Sequence, residues 1–145
     1  MAFNKYEYIK EIFIGFLVGF VFFLYIYGSD PLFFSNVNWI YQQKGDVFQH
    51  QIGWEWFRQE PWQLPIGKIT NYGYPLGTTI FLTDSIPLLA VVFKIISPWL
   101  SEQFQYLGLW LLISISGQFI ISLFILNEFT ASLIKRVLGA FLLTL

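Results

Sequence analysis

Acidic, basic and aromatic side chains are concentrated in one short stretch, residues 45–62, which reads GDVFQHQIGWEWFRQEPW. Asp46 and His50 stand one helical turn apart in it, and Arg58 follows near its end. A carboxylate fixed at the start of a helix beside an apolar wall suits general-base catalysis, because its position is held and partial desolvation raises its basicity. Asp46 is therefore the first candidate catalytic residue.

The same residues also have structural interpretations. Gly45 ahead of Asp46, with Gln49 three positions later, is typical of an acidic N-cap, worth about 1 kcal/mol. Asp46 and His50 have the spacing to ligate a metal, relay a proton or hold a substrate. Because no third ligand stands at a matching spacing, the sequence predicts neither a metal site nor a cofactor.

A second acid, Asp84, lies in the stretch LTDSIPLLA just ahead of a proline. Thr83, Asp84 and Ser85 are all good helix caps before a first-turn proline, so capping and catalysis are both open for Asp84. The sequence does not rank Asp46 above Asp84. Asp30, which also precedes a proline, is typical of a turn residue.

Two basic residues, Arg58 and Lys68, are candidates for binding an anionic substrate. A guanidinium fork matches phosphate oxygens, and a lysine supplies a point charge. Lipid headgroups are the competing partner for both side chains. The stretch PIGKITNYGYPLGTT lacks the Gly-x-x-x-x-Gly-Lys-Ser/Thr pattern, so no nucleotide partner is predicted.

The composition is that of an all-α integral membrane protein. Of 145 residues, 56% are hydrophobic and only 12% are charged, whereas soluble domains average about 25% charged residues. The net charge of −1 and the scattered basic residues argue against a nucleic-acid partner. The chain has no cysteine, which excludes disulfides and thiolate metal sites.

Two apolar segments, residues 8–27 and 104–126, have the length of about 20 residues that a membrane-spanning helix needs. Bulky tyrosines after the first segment argue against signal-peptide cleavage, so it is predicted to be an uncleaved anchor. A further apolar run, residues 137–145, predicts the start of a third span. We therefore expect the N-terminal piece of a longer multi-spanning protein, inactive by itself.

An outer loop, residues 28–103, is predicted between the two spans. It contains two helices, at about 46–60 and 85–97, that are too short to cross a bilayer and fit an interfacial position. Lysines before the first span and a basic segment at 127–136 put the N-terminus and that segment in the cytoplasm by the positive-inside rule.

The helix predicted at residues 46–60 has an apolar face formed by Phe48, Ile52 and Trp56, and Pro61 ends it. Tryptophan settles at the headgroup level of membranes because its ring is apolar and its N–H needs a partner. Four tryptophans of the loop are predicted to be such anchors: Trp39, Trp54, Trp56 and Trp62.

The order of these elements resembles the N-terminal region of membrane glycosyltransferases of fold C (GT-C), which include aminoarabinose and protein mannosyl transferases. The runs GDVFQHQIGWEWFRQEPWQLPIG and DSIPLLAVVFKIISPWLSEQFQYLGLWLL, within residues 45–126, look most like an uncharacterised bacterial membrane family of that superfamily. The resemblance implies a GT-C-like fold in a bacterial inner or cell membrane.

The resemblance also implies a reaction. In such enzymes a catalytic acid opens the first juxtamembrane helix of the outer loop, which maps onto Asp46. The implied donor is a polyprenyl-phosphate sugar, and the acceptor is a hydroxyl on a lipid, glycan or protein, with inversion. Arg58 or Lys68 would then meet the charge of the departing phosphate. This chain departs from relatives with paired acids, because Val47 follows Asp46.

Two other classes of protein remain open. In a transporter or flippase component the outer loop would serve as a gate, and in a non-catalytic scaffold the tryptophan-rich loop would bind a partner protein. Transporters usually place ionisable groups at mid-membrane. Both predicted spans lack charge at their centres, which favours chemistry in the loop.

Overall fold

The structure is a computed structural model that describes residues 5–43 and 45–144. It divides the chain into two compact units: the hairpin unit, Met1–Leu32 with Gly108–Leu145, and the connecting unit, Phe33–Leu107. Lys44 of the predicted outer loop and Leu145 of the predicted third span lie outside the described residues. The elements in chain order are α1 (Lys5–Tyr27), a 3₁₀ turn (Asp30–Leu32), α2 (Asn38–Gln43), α3 (Asp46–Gln59), β1 (Lys68–Ile69), β2 (Thr78–Thr79), a 3₁₀ turn (Ile80–Leu82), α4 (Pro87–Ile95), a 3₁₀ turn (Ser97–Trp99), α5 (Leu107–Asn127) and α6 (Leu133–Thr144).

Among the described residues, two helices are long and apolar enough to cross a membrane. They are Tyr8–Tyr27 within α1, with a mean hydropathy of 2.1, and all of α5, with a mean hydropathy of 2.2. The prediction of a mostly helical chain with two helices of spanning length is therefore confirmed. α6 covers the predicted start of a third apolar segment but begins earlier, at Leu133.

Glycines bring α1 and α5 of the hairpin unit into close contact. A Cβ atom built on Gly19 would lie 2.6 Å from the Cα of Ser116, and one built on Gly15 would lie 2.7 Å from the Cα of Ile120. The two pairings run in opposite chain directions, so the helices are antiparallel. Small residues one turn apart allow helix backbones to approach this closely.

α6 completes the core of the hairpin unit. Phe119 and Leu123 of α5 and Ala140 of α6 are buried together. The ring of Phe119 makes edge-on contacts with Phe22 of α1, at a centroid distance of 5.4 Å, and with Phe141 of α6, at 4.9 Å. Edge-on aromatic contacts are favourable because the positive ring edge meets a negative ring face. The three helices therefore share one aromatic core.

An ion pair lies inside the hairpin unit. The carboxylate Oε1 of Glu11 is 2.6 Å from Nη1 of Arg136, and the two side chains are 0% and 5% exposed. The same Nη1 donates to Oδ1 of Asn127. Within the described residues, the second carboxylate oxygen of Glu11 and Nε of Arg136 have no hydrogen-bond partner. Removal of one member would leave a desolvated charge, so the pair constrains α1 and α6 strongly.

The connecting unit is built around α3, which contacts α2, α4 and β1. The short antiparallel ribbon pairs Lys68 with Thr79 and Ile69 with Thr78. The largest fully buried side chains of this unit are Trp54, Tyr106, Phe57, Ile40, Ile69 and Ile80. α3 is therefore the element whose packing places the candidate chemistry.

The buried face of α3 differs from the predicted one. Phe48 and Trp56 of the predicted apolar face are 36% and 39% exposed. The buried residues are Phe57, which lies beside the predicted face, and Gln51, Gly53 and Trp54, which do not belong to it. The indole N–H of Trp54 donates to the carbonyl of Phe104 at 3.1 Å, so this large ring can be buried without an unpaired donor.

The prediction that four tryptophans anchor the loop in a membrane surface is wrong for two of them. Trp39 is 6% exposed and Trp54 is 1% exposed, so both belong to the core of the connecting unit. Trp56 is half exposed and stacks on Tyr72, with centroids 5.9 Å apart. Trp62 is 54% exposed. Only the last two keep the accessibility that an anchor needs.

We expect Gly19→Ala to lower the free energy of unfolding by about 1–3 kcal/mol, because the added methyl would overlap the backbone of Ser116. Thermal unfolding followed by circular dichroism in detergent micelles measures the change. Gly117→Ala is the matched control, since a Cβ there meets no described atom within 4 Å. It should be neutral or stabilising by up to about 1 kcal/mol. Equal melting temperatures of the two variants would contradict the close contact.

Candidate functional site

α3 begins with a glycine cap followed by an exposed acid. Gly45 is the N-cap residue and has a φ of 79°, a conformation that glycine adopts without strain. No side-chain hydrogen bond caps this helix end within the described residues. Asp46 is therefore the first helical residue rather than the cap, and the capping prediction for Asp46 is wrong. Its carboxylate is exposed, at a helix end that favours negative charge.

Asp84 stands at a sharp corner before α4. Asp84 has a φ of 52° and Ile86 a φ of 49°, both in the left-handed region that is uncommon for non-glycine residues. Ile86 is the N-cap residue of α4, and in the part of the chain that the structure describes no side chain caps this end. The capping prediction for Asp84 is therefore also wrong, and the Asp84 side chain is exposed.

Hydrogen bonds hold this corner against α3. The hydroxyl of Ser85 donates to the carbonyl of His50 at 2.7 Å, and the hydroxyl of Tyr106 donates to the carbonyl of Ser85. Burial raises the pKa of Tyr106 above its ordinary value, so it stays a neutral donor. Gly53 faces Thr83 and Ser85 so closely that any side chain there would overlap them. The strained corner is thus fixed by its neighbours.

The Ser85–His50 hydrogen bond joins the segment that carries Asp84 to the helix that carries Asp46 and His50. Asp46 and His50 are one turn apart on α3, an axial rise of about 6 Å, and Asp84 adjoins the serine that bonds to His50. His50 is half-buried, and its Nδ1 is buried without a partner among the described residues. The described residues contain no group of three ligands that could hold a metal.

Arg58 holds the segment after α4 against the C-terminal end of α3. Its Nε donates to the hydroxyl of Ser97 at 2.7 Å. Its two amino groups donate to four carbonyls, those of Ser97, Leu100, Ser101 and Glu102. A guanidinium has five N–H donors, and all of them are used here. All the donors of Arg58 are thus used within the protein, and its predicted role in binding substrate stays a prediction.

Lys68 lies on β1 with an exposed side chain. Its carbonyl is 3.5 Å from the amide nitrogen of Gln63, which also approaches Glu60 just beyond the end of α3. Arg58 stands twelve positions after Asp46 along α3, an axial distance of about 18 Å. Both predicted cations thus belong to the C-terminal end of α3, whereas Asp46 stands at its start. The structure does not bring them to one site.

Lys94 was not singled out as a site residue, yet it is buried at the centre of the connecting unit. Its Nζ donates to the carbonyls of Phe57, at 2.5 Å, and Glu60, at 2.8 Å, and lies 4.0 Å from the centre of the Phe57 ring. Burial lowers the pKa of Lys94, while the charge of Glu60 opposes this shift. A cation at a helix C-terminus satisfies carbonyls that lack helical partners. The signal for this role in the sequence is the single lysine, Lys94, within a short apolar helix.

Glu55 is a second residue that the sequence did not reveal. Its Oε1 accepts hydrogen bonds from the hydroxyl of Tyr41, at 2.8 Å, and from the amide of Gln51, at 2.9 Å. The pKa of Tyr41 is raised to about 12 by burial, by its hydrogen bond to Glu55 and by the negative charge of Glu55. Glu55 also lines a polar groove of about 340 Å³, together with Arg58, Gln59, Ser97 and Glu102. Its spacing in the sequence is that of an ordinary helical surface acid.

Residues 16–145 match the family described as Domain of unknown function (DUF6311), and the chain belongs to this family. None of the curated proteins and none of the solved structures matches the chain. Family membership covers α5, α6, the whole connecting unit and most of α1. It leaves the activity to be argued from the residues.

Arg58→Lys is expected to lower the free energy of unfolding by about 2 kcal/mol, because a lysine leaves several of the bonded carbonyls without a charged donor. Chemical denaturation in detergent micelles measures this change. Lys68→Gln removes an exposed charge and should stay within about 0.5 kcal/mol of the wild type. If Arg58→Lys were as stable as Lys68→Gln, the structural assignment of Arg58 would be wrong.

The raised pKa of Tyr41 predicts a pH dependence of stability. In the unfolded chain Tyr41 ionises near its ordinary value of 10.0, and in the folded chain only near about 12. Its contribution to stability is therefore complete below pH 10.0 and is lost as the pH rises to about 12. The difference in unfolding free energy between wild type and Tyr41→Phe should shrink over this window.

Tyr74→Phe is the control for this measurement, because Tyr74 is 81% exposed. Tyr74→Phe measures what the loss of an exposed tyrosine hydroxyl does to the unfolding free energy at each pH. Parallel curves for wild type and Tyr41→Phe would show that the pKa of Tyr41 is not raised in the folded chain.

Proposed function

We propose that this chain is part of an integral membrane glycosyltransferase that transfers a sugar from a polyprenyl-phosphate donor to an acceptor hydroxyl on the outer face of a bacterial cell membrane. Asp46 is the general base of the reaction. The observation that carries the proposal is the exposed Asp46 carboxylate, which is free of any capping role and is fixed at the start of a helix whose next turns are packed.

The proposed orientation uses α1 and α5 as membrane spans with the N-terminus in the cytoplasm. Lys10 and Lys135 are exposed near the ends that this orientation places inside. Arg136 contributes less to the positive-inside orientation, because it is buried and its charge is paired with that of Glu11. The connecting unit then lies on the outer face, where lipid-linked sugar donors and acceptors meet.

In the proposed reaction the acceptor hydroxyl attacks the anomeric carbon of the donor sugar. A new carbon–oxygen bond forms while the bond from that carbon to the phosphate oxygen breaks. Polyprenyl phosphate departs with the bonding electron pair, and the proton of the acceptor hydroxyl passes to Asp46. One well-placed base is the main requirement, because a lipid phosphate is already a good leaving group. No cofactor is needed for this balance.

The packing of α3 one to two turns after Asp46 supports the role of Asp46 as a base. The first two turns of α3 are held by the Ser85–His50 hydrogen bond and by the close approach of Gly53 to Thr83. A base held by such packing needs little reorganisation when the acceptor arrives. Asp84 stands on the adjoining corner and is the second candidate acid of the same site. The proposal assigns no residue to the departing phosphate.

A transporter or flippase component is the second candidate function, and the Glu11–Arg136 pair favours it. Ionisable groups inside a membrane segment are functional candidates by default. Glu11, however, is only three residues from the start of the candidate span Tyr8–Tyr27, an axial distance of about 5 Å. Transporter sites lie near the membrane midplane. The position of the pair near the start of the span therefore favours a structural role over a role in transport.

The test measures sugar transfer from a radiolabelled polyprenyl-phosphate donor in membranes that contain the full gene product. Asp46→Asn should reduce the transfer rate at least about 100-fold, the usual contribution of a general base. Its loss of stability should not exceed about 1 kcal/mol, because it removes only a helix–dipole interaction.

Asp30→Asn is the matched control, since it removes an exposed carboxylate from a turn outside α3 and should leave transfer unchanged. Asp84→Asn separates the two acids of the site. Full activity of Asp46→Asn with loss of activity in Asp84→Asn would move the base to Asp84. Absence of transfer by the wild type with any hydroxyl acceptor would refute the glycosyltransferase proposal.

A further inference from the structure

α4 presents a continuous apolar stripe on its outer face. Leu88, Val92 and Ile95 are 77%, 47% and 60% exposed, and Trp99 in the following 3₁₀ turn is 81% exposed. Their spacing of four, three and four residues follows one side of a helix. A stripe of this kind, open along its whole length, is uncommon on a soluble surface.

The opposite face of α4 already has its partners. Ala90 and Lys94 are buried, and the ring of Phe93 stacks on Tyr106 with centroids 5.1 Å apart. The connecting unit therefore buries one side of this helix and leaves the apolar stripe outward. With nine residues, α4 is about 14 Å long, which is too short to cross a bilayer.

The charge of α4 points away from the stripe. Lys94 is the only charged residue between Pro87 and Ile95, and its Nζ donates to the carbonyls of Phe57 and Glu60 inside the unit. The stripe therefore presents no charged group. Such a face suits uncharged apolar surroundings, and it offers nothing to recognise the charges of a protein partner.

The position of α4 along the chain indicates what covers the stripe. Phe93 stacks on Tyr106, and the next residue, Leu107, is the first residue of the candidate span α5. If α5 enters a membrane at Leu107, α4 is packed on the segment that leads into it. A helix packed on the residue before the point of membrane entry is within reach of the bilayer surface along the chain.

We infer that the stripe Leu88–Val92–Ile95–Trp99 docks on the lipid bilayer and inserts to the boundary between headgroups and acyl chains. The inference rests on the membrane-spanning part of the proposed function and not on the sugar transfer. α4 rather than α3 is then the lipid-docking helix. Since α4 also carries Lys94 at the C-terminus of α3, docking of the stripe would fix the depth of α3 and of Asp46 at the membrane surface.

Site-directed spin labelling tests this inference, because the chain has no cysteine and each introduced cysteine is its only labelling site. Cysteines are placed singly at 88, 92, 95 and 99, all exposed positions where a label leaves the core intact. Gln42→Cys and Glu102→Cys are exposed polar controls in the connecting unit, and Ile121→Cys, 60% exposed on α5, is the reference for a lipid-facing span.

The labelled protein is reconstituted into phosphatidylcholine vesicles. The collision rates of each label with oxygen, which partitions into lipid, and with a water-soluble nickel chelate are then compared. We expect the four stripe positions and 121 to show oxygen-to-nickel accessibility ratios severalfold above those at 42 and 102. The stripe should be shallower than 121, since it stops at the headgroup boundary.

Each other outcome overturns the inference in a distinguishable way. Stripe labels open to the nickel chelate, with 121 in lipid, would put the stripe in water while α5 still spans the bilayer. Stripe labels closed to both reagents would show that protein covers the stripe, from a second copy or another helix. A label at 121 open to the nickel chelate would remove the spanning assignment itself, and the docking inference with it.

Discussion

The carbonyl of Phe104 is the point on which the connecting unit depends. It accepts the indole N–H of Trp54 at 3.1 Å and the amide of Gln51 at 3.2 Å, two donors from the buried face of α3. These bonds close a loop of some fifty residues, which carries a considerable entropic cost. The buried Trp54 ring, edge-on to Phe104 and Tyr106, supplies apolar burial that offsets this cost.

The hydrogen bonds to Phe104 hold the middle of α3. The two ends of α3 differ in the contacts that they make. The C-terminal end is satisfied by Lys94, whose ammonium takes the carbonyls of Phe57 and Glu60, and Arg58 fastens the loop beyond α4 to the same end. The N-terminal end has only the glycine cap and the exposed Asp46. α3 is thus held in its middle and at its C-terminal end, and the carboxylate at its start stays exposed.

The positions of the helices could be predicted from the sequence, because they depend on residues close together in the chain. The spans follow from runs of apolar residues, and α3 and α4 follow from glycine and proline positions, so their bounds were predictable within a few residues. The buried face of α3 was not, because Phe48 and Trp54 are both apolar and only the distant Phe104 carbonyl favours Trp54. Both capping predictions failed because they considered side chains alone, whereas Gly45 and the left-handed Ile86 set the helix starts through the backbone. The five hydrogen bonds of Arg58 depend on a loop some forty residues away, which no local pattern contains.

The burial of Lys94 links these long-range contacts to the surface of the molecule. A lysine on the outer face of α4 would interrupt the stripe of Leu88, Val92 and Ile95 and require water beside it. Facing inward, the same charge finds two carbonyls and the Phe57 ring, and the outer face stays apolar from end to end. The requirement of α3 for a cation at its C-terminus and the apolar character of the α4 stripe are therefore met by one side chain. A change that turned Lys94 outward would have two effects at once. It would leave the C-terminal carbonyls of α3 without their cation, and it would place a charge in the apolar stripe of α4.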